Sequence, residues 1–191
     1  MESALNVAIS FTHQNFAAIC RKLPLTEPPM RQTPLTLALY QPDIPQNAGA
    51  MLRSCACLGF DAAIIGPAGF PVTDRDFRRA GMDYLDHVPL ERHMSWRAFE
   101  DWRQDQRTRT GGARLILLST KASLTYTQFA YQPGDILMVG RESAGVPEEV
   151  HQAADERILI PVEAGLRSLN VAISAAMVMG EALRQIRGTH P

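Results

Sequence analysis

Hydrophobic and polar positions change their pattern at about residue 35. Before that point, the segment Leu23–Pro34 contains Pro24, Pro28, Pro29 and Pro34, which exclude a continuous helix or strand. After it, short apolar runs alternate with segments of helical pattern. We therefore interpret residues 1–34 as an N-terminal appendage, with a short helix near Gln14–Lys22 and partial disorder, and residues 35–191 as one domain.

The domain pattern predicts strands and helices in alternation. We expect strands at Leu35–Tyr40, Ala62–Ile65, Arg114–Ser119, Ile136–Val139 and Arg157–Ile160. We expect helices at Asn47–Leu58, Asp74–Ala80, Trp96–Gln104 and Ser168–Arg187, and a loop at Gln106–Gly112. This alternation predicts an α/β fold with a mostly parallel sheet and helices on both faces.

Three polar segments that contain glycine each follow a predicted strand: Pro42–Arg53, Gly140–Pro147 and Ile160–Asn170. Ligands of parallel sheets bind beyond the carboxyl ends of the strands, so the three segments are expected to converge on one site. Ordinary structural roles compete with function in each segment. These roles are helix capping for Asn47, Ser168 and Asn170, a solvated position for Arg53, and turns for Gly140 and Gly145.

Composition limits the function classes without selecting one. The chain has 191 residues, 46% of them hydrophobic, which is enough for one domain with a full core. The net charge of −1 does not indicate a strongly basic nucleic-acid binder. Neither a transmembrane run nor a convincing signal peptide is present, and we expect a cytoplasmic protein without membrane contact. Arginines form two local clusters, one at positions 75, 78 and 79 and one at 103, 107, 109 and 114. Each cluster could be a phosphate-binding face or ordinary solvated surface.

Several chemistries are excluded by spacing. Cys20, Cys55 and Cys57 suit small buried thiols in a reducing cytoplasm better than disulfides or a zinc site. The five histidines lack metal-ligand spacing, so no metal is expected and no histidine receives a role. The chain has no dinucleotide fingerprint and no Walker A motif. Gly140–Gly145 has one residue too many before its serine for a nucleophile elbow.

Three ordered motifs resemble those of the SPOUT (SpoU/TrmD) superfamily of RNA methyltransferases. They are Pro42–Ala56, Leu137–Pro147, and Ile158–Pro161 followed by Arg167–Ala175. The similarity runs from about Leu35 to Gln185. The short form, without an added RNA-binding domain, is most similar to the ribose 2′-O-methyltransferases of the tRNA wobble nucleotide, a cytidine or modified uridine. The stretches Arg78–Tyr84 and Ser119–Lys121 also resemble that subfamily.

The resemblance implies both an unusual fold and a chemistry. It implies a trefoil knot in the C-terminal third, S-adenosyl-L-methionine as cofactor, and the anticodon region of tRNA as partner. It also implies a homodimer whose interface includes the first and last helices, where Ala172, Ala175, Ala176 and Gly180 would allow close packing. The implied cofactor contacts are Leu118, Gly140, Gly145, Ile160 and Ser168. The implied catalytic group is Arg53, with Asn47, Glu142, Ser168 and Asn170 positioning it and the ribose.

Arg53 has two possible roles in such a reaction. Its guanidinium either loses its proton through desolvation and acts as a base, or stays charged and stabilises the developing alkoxide. Two positions depart from the subfamily pattern, namely Ser143–Ala144 and Gly180, and both bear on substrate choice. The same chemistry on another tRNA position or on rRNA is one alternative, and a non-catalytic RNA- or cofactor-binding module is another. The joint presence of Asn47, Arg53, Glu142 and Asn170 argues against the module.

Overall fold

A computed structural model of the chain describes residues 35–71, 84 and 87–188. The predicted appendage, Cys20, the predicted helix Asp74–Ala80 and the arginine cluster at 75–79 lie outside these residues. The described strands are β1 Thr36–Tyr40, β2 Asp61–Ile65, β3 Leu90–His93, β4 Leu115–Leu118, β5 Leu124–Thr125, β6 Ile136–Val139 and β7 Glu156–Leu159. The described helices are α1 Pro45–Leu58, α2 Trp96–Thr110, α3 Glu148–Ala153 and α4 Val171–Arg187.

The described strands form one sheet in the order β3-β2-β1-β6-β4-β7-β5. Every pairing between these strands is parallel. Parallel strands need crossover connections, and α1, α2 and α3 lie in those from β1 to β2, from β3 to β4 and from β6 to β7. The predicted α/β architecture with a parallel sheet is therefore confirmed.

Each face of the sheet has its own core. Leu37 and Leu39 of β1 point into a cluster that includes buried residues of α1 and α4, such as Met51 and Val178. Ala38 and Tyr40 point to the opposite face, where Phe99 of α2 and Val150 of α3 pack. Alternation along one strand thus fills both faces, as the prediction of helices on both sides requires.

Several predicted boundaries were wrong. The segment 106–112 is not a loop, because α2 continues to Thr110 and ends at Gly111 with φ 71°. The hydroxyls of Thr108 and Thr110 bond to carbonyls four residues earlier, which keeps their polar atoms within the helix. The last helix begins at Val171 rather than at Ser168. The elements β3, β5 and α3 were not predicted.

The second arginine cluster is not a free basic face. Arg103 is buried and forms ion pairs with Glu100 and Asp155. The second carboxylate oxygen of Asp155 accepts a hydrogen bond from Arg107. Arg114 pairs with Asp135. The solvated interpretation is therefore wrong for Arg103, and acidic neighbours already neutralise much of the charge available to phosphate.

The two described cysteines differ. Cys55 lies on the buried face of α1, and desolvation raises the pKa of its thiol far above the ordinary value. Cys57, two positions later, is exposed, so the buried-thiol interpretation is wrong for it. Among the described residues, no helix is both long enough and apolar enough to cross a membrane.

Candidate functional site

A cavity of about 860 Å³ opens at the carboxyl ends of β4, β6 and β7. Its walls come mainly from the segments that follow these strands, at 119–121, 140–146 and 160–171. Ile44 and Asn47, which follow β1, close one side. The volume is within the range of small-molecule sites, and the position is where parallel sheets bind ligands.

The five predicted cofactor residues all border this cavity. Leu118 and Ile160 contribute apolar side chains, Ser168 contributes a hydroxyl, and Gly140 and Gly145 contribute main chain. The sequence prediction that the three segments converge is thus confirmed in geometry. Contact of these residues with a cofactor stays a prediction.

The glycines are explained by the shape of their own loop. Arg141 and Gly145 exchange backbone hydrogen bonds of 3.0 and 2.8 Å, which closes the loop on itself. A Cβ on Gly140 would lie 2.7 Å from the carbonyl carbon of Gly145. Gly145 itself has φ +66°, which disfavours other residues. The turn explanation therefore accounts for both glycines without a ligand.

Asn47 joins the first polar segment to the second. Its Nδ2 donates to Oε1 of Glu142 at 3.2 Å, and the other carboxylate oxygen of Glu142 accepts from the backbone N–H of Asp43 at 2.9 Å. Helix α1 begins at Pro45, and its cap residue Ile44 makes no side-chain cap bond. The capping explanation for Asn47 is therefore wrong, because its side chain bonds between segments instead.

Asn170 brings in the third segment. Its Oδ1 accepts from the backbone N–H groups of Ala172 and Ile173 at 2.8 and 3.3 Å, so it caps α4. Its Nδ2 donates to Oδ1 of Asn47 at 3.1 Å. The capping explanation is therefore confirmed for Asn170, and the same side chain also takes part in the hydrogen-bond network with Asn47 and Glu142. Each donor in the chain Asn170–Asn47–Glu142 fixes the orientation of the next group.

Ser168 borders the cavity but is not a helix cap. It lies on an exposed segment three residues before α4 begins, and Asn170 makes the cap bonds. The capping explanation for Ser168 is therefore wrong, and its hydroxyl is available to a bound molecule.

Arg53 is separate from these residues. Its guanidinium carbon lies 4.9 Å from the centroid of the Tyr84 ring, and it is not among the residues that line the cavity. Within the described part of the chain, it makes no hydrogen bond to Asn47, Glu142 or Asn170. The structure thus brings together four of the five predicted catalytic residues and leaves Arg53 over an aromatic ring, in the geometry of a cation–π contact.

Sequence reasoning missed two charged residues at the site. Asp43 and Arg141 pair at 3.2 Å across the first and second segments. A hydrogen bond from the Ser143 side chain contributes most to holding the pKa of Asp43 below its ordinary value. The available signal was their position: each is a charged residue in a loop immediately after a buried strand.

His151 is a further residue of the cavity wall. Its Nδ1 accepts from Nε of Arg157 at 3.2 Å, so Nε2 is the ring nitrogen that can donate a hydrogen bond. That Nε2 is buried and has no partner among the described residues. Nε2 of His93 is also buried without a partner among the described residues, but its ring packs against Phe99 and Trp102 away from the cavity lining, which suits the structural role expected for a histidine.

The cavity suits an adenosyl amino acid in its mixed lining. Leu118, Val139 and Ile160 offer an apolar surface for an aromatic base, whereas Ser119 and Ser168 offer hydroxyls for a sugar or an amino acid group. The unpartnered His151 Nε2 offers one more donor. Among the described residues, no group of three or more His, Cys, Asp or Glu side chains could hold a metal.

Comparison with known proteins identifies close relatives. Residues 34–180 match the family described as "SpoU rRNA Methylase family". A tRNA (cytidine(34)-2'-O)-methyltransferase of Beijerinckia indica subsp. indica is 66% identical over 150 residues, which are 78% of this chain and 91% of that protein.

Two solved structures show the same fold. One, described as "Structural insights into the 2-OH methylation of C/U34 on tRNA", is 37% identical with a TM-score of 0.76 and covers 83% of this chain and 99% of its own. The other is the SpoU methyltransferase AviRb from Streptomyces viridochromogenes in complex with the cofactor AdoMet. It is 26% identical, with a TM-score of 0.76, and covers 82% of this chain and 62% of its own.

Proposed function

The chain belongs to the SpoU rRNA methylase family, and from that premise we propose that it methylates a ribose 2′-hydroxyl of tRNA at the wobble nucleotide. The relative at 66% identity carries the name of that activity. The structural observation that carries the proposal is the network Asn170–Asn47–Glu142 on the wall of the cavity. It provides fixed polar groups for a ribose beside a space for a methyl donor.

S-adenosyl-L-methionine is the proposed cofactor, because a related SpoU methyltransferase was solved with AdoMet and the cavity lining fits such a molecule. Leu118 and Ile160 would hold the base, and the main chain at Gly140 and Gly145 would border the adenosine. Ser168 would bond to the cofactor or the ribose. When bound, the cofactor supplies a methyl group on a sulfonium, which is a good leaving group without a metal.

The residues of the chain are proposed to align the ribose with the cofactor and to control the proton of the 2′-hydroxyl. Asn170 orients Asn47, Asn47 holds the carboxylate of Glu142, and Glu142 lines the cavity beside which the ribose would lie. Arg53 is proposed to stabilise the developing alkoxide as a cation, since its guanidinium lies over the Tyr84 ring in the geometry of a cation–π contact. The alternative, Arg53 as base, requires that this charge be lost.

A homodimer is part of the proposal. Leu166, Leu169, Ile173 and Met177 are large apolar side chains with exposures of 68%, 42%, 57% and 36%. They lie on the start of α4 and on the segment before it, next to the cavity. Arg53 does not line the cavity of its own chain, so a site completed by a second copy is consistent with its position. Of the small residues predicted for the interface, Ala175 is buried in its own core.

The trefoil knot and the domain division also stay proposals. The knot is proposed from the family resemblance, and the strand order, with β6 between β1 and β4 and β7 beyond β4, is compatible with it. Residues 1–34 are proposed as an appendage to a methyltransferase domain at 35–191, and the family match beginning at residue 34 supports that boundary. A tRNA substrate also supports the proposed cytoplasmic location.

The test is nucleoside mapping by mass spectrometry. Purified protein, S-adenosylmethionine and total RNA from cells that lack the gene are combined, and 2′-O-methyl nucleosides are mapped in tRNA and rRNA. We expect new methylation at the wobble ribose alone. Methylation in rRNA or at another tRNA position would overturn the substrate. Failure of calorimetry to detect S-adenosylmethionine binding would overturn the proposed activity.

A further inference from the structure

Asp43 binds three consecutive residues of the second polar segment. Its Oδ1 accepts from Nε and Nη2 of Arg141 at 3.3 and 3.2 Å. Its Oδ2 accepts from both the backbone N–H and the hydroxyl of Ser143. Its own backbone N–H donates to Glu142 at 2.9 Å. We call this set of contacts among residues 43, 141, 142 and 143 the Asp43 clasp.

The clasp adds contacts between two segments that lie far apart in sequence. Asp43 and Arg141 are 98 residues apart in sequence, and the loop at 140–146 forms one side of the cavity. The backbone bonds between Arg141 and Gly145 close that loop but do not fix where it lies. The pairing of β1 with β6 and the Asn47–Glu142 bond bring it beside the first segment, and the Asp43 side chain adds four hydrogen bonds to these restraints.

The groups in the clasp suit a durable attachment. The Asp43 side chain is 20% exposed, and its partner Arg141 is 40% exposed. Charged hydrogen bonds are stronger than neutral ones, and both carboxylate oxygens are used. Hydrogen bonding by Ser143 lowers the pKa of Asp43, so the carboxylate is ionised near neutral pH. Ser143 therefore has a definite contact, although it departs from the subfamily pattern.

We propose that Asp43 is a positioning residue that holds the 140–146 wall of the cavity in the form that accepts the cofactor, with Ser143 as its second attachment. This inference rests on the proposed function. Asp43 acts through the loop rather than on the reacting atoms. Glu142 keeps its bonds to Asn47 and to the backbone of residue 43 when the Asp43 side chain changes. Loss of the side chain should therefore affect cofactor binding more than the chemical step.

Four variants test the proposal. Asp43→Asn removes the charge, Ser143→Ala removes the hydroxyl, and Ser143→Thr restores it. Asp105→Asn is the matched control, because Asp105 is 60% exposed on α2 and forms an exposed ion pair with Arg109. We expect Asp43→Asn to raise the dissociation constant and KM for S-adenosylmethionine about tenfold, with kcat at saturation within about threefold. Ser143→Ala should show a smaller increase in KM, while Ser143→Thr and Asp105→Asn stay at the wild-type value.

Hydrogen exchange on the ligand-free protein gives a second measurement that needs no activity. Amides of residues 141–145 should exchange faster in Asp43→Asn than in wild type, whereas α2 should be unchanged. Wild-type exchange and wild-type cofactor binding in Asp43→Asn would overturn the clasp while leaving the proposed function intact. If Asp43→Asn exchanges faster but the wild-type protein binds no S-adenosylmethionine, the proposed function is overturned. The positioning of a cofactor by Asp43 is then overturned with it.

Discussion

Asn170 donates its side-chain amide to Oδ1 of Asn47 at 3.1 Å while its own Oδ1 caps helix α4. One side chain thus connects the start of a helix to the network that orients Glu142. The two roles use different atoms: the oxygen caps the helix, and the nitrogen serves the network. A substitution that keeps one atom and removes the other can therefore separate stability from function.

Asn170→Asp is predicted to reduce methyl transfer and preserve the helix. Aspartate is as good a helix cap as asparagine, so the free energy of unfolding should change by less than about 0.5 kcal/mol. Aspartate cannot donate to Asn47, so we expect methyl transfer to fall about 100-fold, which is about 2.7 kcal/mol in the barrier. Urea unfolding and a steady-state assay on tRNA measure the two effects.

The control for Asn170→Asp is Ser95→Ala. Ser95 caps α2 by accepting from the backbone N–H of Ala98 at 3.2 Å, and α2 is away from the cavity. Loss of the Ser95 hydroxyl should lower the free energy of unfolding by about 1 kcal/mol and leave methyl transfer unchanged. Full activity in Asn170→Asp would show that the bond to Asn47 has no part in catalysis.

Arg53 variants are predicted to distinguish charge stabilisation from base catalysis. Arg53→Ala should remove methyl transfer while leaving the fold and S-adenosylmethionine binding nearly intact. Lysine keeps a positive charge, so Arg53→Lys should retain part of the activity, with a loss of about 10- to 100-fold and a pH profile of unchanged shape. Arg97→Ala, an exposed arginine on α2, should behave as wild type.

A titrating base at position 53 would give a different result. Lysine has an ordinary pKa of about 10.4, lower than that of arginine, so a deprotonated base would be formed more easily. The limb of the pH–rate profile would then move to lower pH in Arg53→Lys. Such a shift would contradict the stabilising role proposed from the Tyr84 contact.

Much of the fold follows from local patterns, and the rest does not. The central strands are apolar on both faces, so runs such as Ile136–Val139 were identified with the correct bounds. The strand Leu90–His93 lies at the sheet edge and carries Glu91 and Arg92, so it lacks an apolar run. The strand Leu124–Thr125 has two residues, too few for any periodicity.

The site residues also divide into those whose position follows from strand order and those whose contacts do not. Residues that border the cavity follow strands, so the position of Gly140 or Ile160 could be predicted from topology. The partners of Asn47 could not, because its bond to Asn170 joins residues 123 apart and competes with a local cap. The contact of Ser143 with Asp43 was equally hidden, since no sequence rule pairs two loops across 100 residues.

Ile173→Asp is predicted to convert a dimer into a monomer. Ile173 is 57% exposed at the start of α4, and a carboxylate there would be buried without a partner at a close interface. Sedimentation should show the wild type at twice the monomer mass and the variant at the monomer mass. Met94→Asp is the control, since Met94 is 87% exposed but lies after β3, away from α4. A monomeric wild type would contradict the homodimer.

Acid should weaken the fold through Asp155. Its carboxylate accepts from the backbone N–H of Leu115 at 2.8 Å and from Arg103 and Arg107 at 2.9 and 3.0 Å. Burial alone would raise the pKa of Asp155, but the bonds from Leu115 and the arginines outweigh it and leave the pKa below its ordinary value of 3.8. The folded state thus binds the proton less tightly than the unfolded state. The stabilisation from Asp155 is therefore complete above about pH 4 and is lost as the pH falls through the folded-state value.

Asp155→Asn is accordingly predicted to destabilise the fold in a pH-dependent way. At pH 7 the variant should lose about 1.5–3 kcal/mol in the free energy of unfolding, because charged hydrogen bonds are removed. At an acid pH low enough to protonate the wild-type carboxylate in the folded state, the difference between the two proteins should shrink. Urea unfolding at both pH values measures this, and Asp105→Asn should change stability little because its ion pair is exposed. An equal loss at both pH values would show that Asp155 contributes through packing and not through its charge.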